Sequence, residues 1–78
     1  MSPYHLAHVF RREVGTSVYA YVLRLRLAQA LTAVIDSDAD ITTIALDAGF
    51  ASHSHFTRHF RTFFGTPPAE LRKIVTAR

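Results

Sequence analysis

The chain has 78 residues, 49% of them hydrophobic and 12% aromatic, enough for one small folded domain and too apolar for a disordered segment. It contains no cysteine, which excludes a disulfide framework and a thiolate metal site and suits a reducing compartment such as the cytoplasm. The net charge of +3 is compatible with a polyanionic partner without requiring one.

In chain order, Ser2-Pro3 reads as an N-cap followed by proline in the first helical turn, and Gly15 closes that helix after Val14. The decapeptide at the N-terminus carries His5 and His8 where a signal peptide needs an unbroken apolar core, so no leader is read there. Ser17 caps a long helix running to about Ile35. This stretch is greasy, but a membrane span would put Arg24 and Arg26 in hydrocarbon at roughly 2.5–3.5 kcal/mol each, so it reads as an amphipathic helix of a soluble protein. The acidic run Asp36-Ser37-Asp38-Ala39-Asp40 ends it, with Asp40 or Thr42 positioned to cap a short helix from Ile41 to Ala48. After Gly49, Ser52 caps a helix to Phe64 that Gly65 closes, and Pro67-Pro68 opens a last helix to about Val75. No stretch alternates as a strand. The expected class is all-α.

Residues 2–16 and 52–66 form an internal repeat at an offset of 50. The cap serine, His5/His55, Phe10/Phe60, Arg11/Arg61, the closing glycine and the following threonine are identical, while Leu6/Phe56 and Val14/Phe64 match in kind. The second copy is preceded by a helix and a glycine turn. The counterpart before the first copy would lie upstream of Met1, which predicts a first unit that is only partly present.

The segment from Asp40 to Phe64 has helix-turn-helix spacing: Ala45 is small where two helices would cross, Gly49 suits a positive-φ turn, and Phe50 can fill the gap between the helices. At about 100° per residue, Phe56, Phe60, Phe63 and Phe64 share an arc expected to be core. Ser54, Thr57, Arg58 and Arg61 cluster roughly 135° away, hydroxyls and guanidiniums suited to base edges and phosphates. In the first copy Leu6, Val9 and Phe10 form the inward arc, and Tyr4, Ala7, His8 and Arg11 point outward. A connecting helix of about 18 residues spans roughly 27 Å. With packing added, the two like helices could enter successive major grooves about 34 Å apart.

Ile44-Ala45, Gly49-Phe50, Ser54, Phe56, Arg58, Phe60-Arg61, Gly65, Pro68 and Leu71-Arg72 resemble the signature of the AraC/XylS family of transcription regulators, and Arg26-Leu27-Ala28 resembles its start. The resemblance covers essentially the whole chain. It implies a homeodomain-like pair of helix-turn-helix units joined by a long helix, of which this chain matches the C-terminal three-quarters. Residues 1–16 would be the recognition helix of the first unit, 17–35 the linker helix, and 40–78 the second unit with a C-terminal helix. Base-contacting roles then pass to Tyr4, Ala7 and His8 in the first unit and to His53, Ser54, Thr57 and Arg58 in the second. Family members usually carry a sensing or dimerisation domain upstream. At Leu71 the family prefers an aromatic.

The function expected is a cytoplasmic, bacterial-type regulator or activator that binds double-stranded DNA, with RNA polymerase and a second copy of itself as further partners. The alternative is an interaction or dimerisation module acting through the apolar faces of its helices. No catalytic group, cofactor or metal ligand is assigned. The spacings His55/His59 and His5/His8 are compatible with a divalent ion, but no cysteine or acidic ligand completes a set, so a shared packing role for His5 and His55 is preferred. Arg24 and Arg26 read as solubilising charges, and Arg72, Lys73 and Arg78 as favourable at a helix C-terminus.

Overall fold

A computed structural model describes residues 2–76. Its elements are α1 (Pro3–Val14), α2 (Val18–Asp36), α3 (Ile41–Asp47), α4 (His53–Phe64) and α5 (Pro68–Thr76), with no strand among the described residues. The all-α expectation holds, and the helix ends fall within one residue of those read from the caps.

The caps explain that agreement. The hydroxyls of Ser2, Ser17 and Ser52 each accept a hydrogen bond from the backbone N–H three residues on, all at 3.1 Å. Gly15 and Gly65 sit at φ 86° and 85°, and each donates its N–H to the carbonyl four residues back at 2.8 Å. The sequence repeat is thus a structural repeat down to its terminal hydrogen bonds. At α3 the expectation is met only in part: Asp40 occupies the N-cap position, but its side chain makes no capping bond. The end of α3 is tightly closed. Gly49, at φ 92°, donates to the Leu46 carbonyl and Phe50 donates to the Ala45 carbonyl, both at 3.0 Å, a double bond pattern that turns the chain sharply into α4.

The core is formed by Leu27, Ala30 and Val34 of α2, Ile44 and Ala45 of α3, Phe50 in the turn, and Phe56 and Phe60 of α4. Ala45 has no exposed surface, as a close helix crossing demands, and Phe50 is 4% exposed. The rings of Phe50, Phe56, Phe60 and Phe64 follow one another at centroid distances of 5.2, 5.4 and 4.6 Å. By length and composition α2 could cross a membrane. Here its Leu27, Ala30 and Val34 are the middle of the core, and α3 and α5 pack on it.

Arg72 does more than favour a helix end. From α5 its Nε donates to the Val34 carbonyl at 3.1 Å, Nη1 to Ala39 at 2.7 Å and Nη2 to Ala33 at 3.5 Å. One guanidinium therefore caps the Val34 carbonyl near the end of α2, adds to the bonds Ser37 already gives Ala33, and ties the Ala39 carbonyl of the loop into α3.

Two core expectations need correction. Phe63 is 51% exposed: it stacks edge-on against Phe64 at 5.0 Å, but no helix covers its outer side. On α1 no residue is fully buried. Leu6 is 57% exposed, and Val9 and Phe10 are only half-buried. The joint to α2 is an edge-to-face contact between Phe10 and Tyr21 at 5.4 Å. The radius of gyration is 14.8 Å with extents of 49 × 21 × 18 Å, whereas a compact chain of this length would have a radius of about 11–12 Å. The molecule is a core of α2 to α5 with α1 at one end of a long axis.

Candidate nucleic-acid interface

The side chains expected to meet DNA gather at two places. On α4, His53, Ser54, Arg58 and Arg61 are exposed and, with Thr57, line one open depression of about 380 Å³. On α1, Tyr4, Ala7, His8 and Arg11 are exposed and line another of about 250 Å³. The capping serine sets each helix N-terminus, and the Gly49 turn holds α4 out from the core with only its Phe56–Phe60 side buried.

Thr57 departs from the expected stripe. It is half-buried, and its hydroxyl is enclosed without a hydrogen-bond partner. The cause is helical geometry: seven residues are close to two full turns, so Thr57 lies almost in line with Phe64 at the edge of the core arc. Ser54, Arg58 and Arg61 are the part of the stripe that faces outward freely.

Charge at these surfaces is available. Among the described residues the ion pairs are Arg12–Glu13 and Lys73–Glu70, each at 3.8 Å, which leaves Arg11, Arg58 and Arg61 uncommitted. On the flank of α4, Nε2 of His55 and Nε2 of His59 lie 3.1 Å apart, with Phe50 against both rings. The Nδ1 of His55 is buried without a partner. A contact between two ring nitrogens needs one to donate and the other to accept, so the two imidazoles cannot both carry a proton on Nε2. Burial, followed by the charges of His55 and Arg58, holds the His59 imidazole below its ordinary value of 6.5. No group of three or more His, Asp or Glu converges on a common point among the described residues.

Two features of this region were not visible in the sequence. Ser17 and Val18, at the start of α2, form the far wall of the α1 depression because the Gly15 turn folds them back beside His8 and Arg11. Arg26 lies over the turn of the second unit: its Nε would be 3.1 Å from a Cβ placed at Gly49. The capping pattern Gly15-Thr16-Ser17 was the available signal for the first, and nothing local signals the second.

Residues 1–74 match the model of a family described as a helix-turn-helix domain. The chain belongs to the AraC/XylS family of helix-turn-helix transcription regulators. Among its AraC/XylS-type relatives, a probable transcription factor of Proteus vulgaris, PqrA, is 38% identical over 75 residues, covering 96% of this chain and 62% of that protein. Of two further regulators that it matches, from Bacillus subtilis and Haemophilus influenzae, the chain spans 25% and 26%. The solved DNA-binding domain of AdpA, crystallised with a target DNA, superposes over 100% of this chain and 70% of its own at a TM-score of 0.93 with 29% identity. An AraC-type DNA-binding domain protein from Chromobacterium violaceum superposes at 0.84 with 33% identity, over 92% of this chain and 64% of that one. AraC/XylS membership agrees with the all-helical helix-turn-helix fold and with a function in DNA-binding transcription regulation.

Proposed function

We propose that this AraC/XylS chain reads duplex DNA with two helices, α4 and α1, each presented to a major groove. The observation that carries the reading is the repeat itself. Two helices with the same serine cap and the same glycine stop each turn an uncommitted arginine and a row of exposed side chains to solvent. In the second unit Ser54 and Arg58 read base edges while Arg61 neutralises phosphate, with His53 at the helix start; in the first, Tyr4, Ala7 and His8 face bases and Arg11 faces phosphate. Residues 17–35 set the separation of the two, and 40–78 complete the second unit. Thr57 contributes shape rather than its enclosed hydroxyl. No cofactor, metal or catalytic group enters this function, and its place is the cytoplasm, beside RNA polymerase at a promoter.

The direct test is enrichment of a random duplex pool on the chain, followed by titration of the winning duplex against a scrambled one at several salt concentrations. A sequence preference of tenfold or more supports the reading. Equal affinity for both duplexes at every salt concentration sinks it.

A second reading is favoured by exposed apolar side chains. Leu6 and Val14 of α1 and Tyr21 and Leu25 of α2 are between 40% and 57% exposed, apolar surface suited to self-association. Sedimentation separates the two, since salt-insensitive dimers without DNA affinity would mark an interaction module.

A further inference from the structure

The two reading surfaces differ in chemistry. In the repeat, Ser54, Thr57, Arg58 and Arg61 of α4 correspond to Tyr4, Ala7, His8 and Arg11 of α1. At the position of Arg58 the first helix carries an imidazole in place of the forked guanidinium, and at the position of Thr57 it carries a methyl group. The depressions differ as well. That on α4 is lined by α4 residues alone, whereas α1 faces a second wall supplied by Ser17 and Val18. The Ser17 oxygen accepts the capping hydrogen bond of α2 from Ala20, and Val18 keeps 38% of its surface exposed. Tyr4, 83% exposed, stands one turn from Ala7 on the same face. The result is a small, largely apolar hollow in the middle of a surface otherwise suited to DNA.

Only one base offers an apolar group to the major groove, the C5-methyl of thymine. We propose that the first unit selects thymine, by seating its methyl group in the hollow between Ala7, Tyr4 and Val18. The proposal rests on the reading that α1 lies in a major groove, and it makes the two half-sites unlike in chemistry: the first is recognised by burial of a methyl, the second by hydrogen bonds from Arg58 and Ser54. Arg11 at the rim supplies charge without selecting a base.

The test uses the duplex enriched from a random pool. Positions whose preference relaxes with Arg58→Ala define the half-site of α4; thymines in the other half-site are then replaced by deoxyuridine. That exchange keeps every hydrogen-bonding edge and removes only the methyl group. Loss of one buried methyl corresponds to about a fourfold rise in Kd. The expected result is that rise for at least one thymine, with Ala7→Gln, a change that preserves helix propensity, binding the thymine and deoxyuridine duplexes equally. If the wild-type chain binds the deoxyuridine duplex as tightly as its parent, the hollow does not read methyl groups, although the DNA-reading function stands. If no duplex is enriched at all, the underlying reading fails and takes this one with it.

Discussion

Arg58 and Arg61 are neighbours on one exposed stripe of α4, yet their proposed roles are separable by measurement. Arg58→Ala should cost about 1–3 kcal/mol on the preferred duplex and relax selectivity at one base pair, because a bidentate donor to a base edge is lost. Arg61→Ala should weaken all duplexes alike and lower the slope of log K against log salt by about one. Equal effects of the two substitutions on specific and scrambled DNA would refute the division of labour. A third arginine, Arg72, works inside the fold. Its replacement by Met keeps the aliphatic stem but leaves the carbonyls of Val34 and Ala39 without their donor, so denaturant unfolding should show a loss of about 2–3 kcal/mol. His59 adds a pH dependence. Its imidazole is held below 6.5, so the folded chain prefers it neutral. The contribution of this neutral imidazole to stability is then fully present above 6.5 and is lost as the pH falls through the lowered value, the direction expected when the unfolded state binds the proton more readily. Melting temperature should therefore drop as the pH is lowered below 6.5, and His59→Gln should flatten that drop.

At the scale of elements, each helix begins and ends by local chemistry, but at the junction between α3 and α4 a distant side chain also comes close. Gly49 has both a positive φ and the Arg26 guanidinium 3.1–3.2 Å from where a Cβ would stand. Gly65 has a similar φ and open space. Gly65→Ala should accordingly cost only the left-handed backbone penalty, about 1–2 kcal/mol, and Gly49→Ala slightly more, since the exposed end of Arg26 must also give by a few tenths of an ångström. Chemical denaturation of the two variants measures the difference, and equal losses would show that Arg26 yields freely. This ordering was hidden from the sequence, where the three glycines look alike as helix stops.

For the molecule as a whole, the uneven distribution of burial predicts uneven stability. The core joins α2, α3 and α4, with α5 pinned to it by Arg72, whereas α1 holds on through Phe10 against Tyr21 and buries no residue completely. Amide hydrogens of α1 should exchange at a much lower opening energy than those of α4, despite matching caps, because caps contribute about 1 kcal/mol each while buried aromatic side chains contribute several times that. Equal protection of the two helices would refute this. DNA would then order α1 on binding, and the first half-site would carry an entropic cost that the second does not.

The helices, their termini, the repeat and the outward stripe of Ser54, Arg58 and Arg61 were legible in the amino-acid order, because hydroxyl caps, glycine stops and 3.6-residue periodicity act over at most four or five positions. Burial was less so. Phe63 and Leu6 have the periodicity of core residues and remain exposed because burial requires a second surface, and periodicity states only which side would face one. Thr57 shows the converse: a position on the outward stripe was drawn inward by its alignment with Phe64. Arg72 reaching carbonyls up to 39 residues away, Arg26 roofing Gly49, and Val18 walling the α1 hollow are decided by how the helices pack. What local rules determined is where each helix lies along the chain and which side is greasy; what only the tertiary structure decided is which of those sides find a partner, since that depends on groups brought together through space rather than along the backbone.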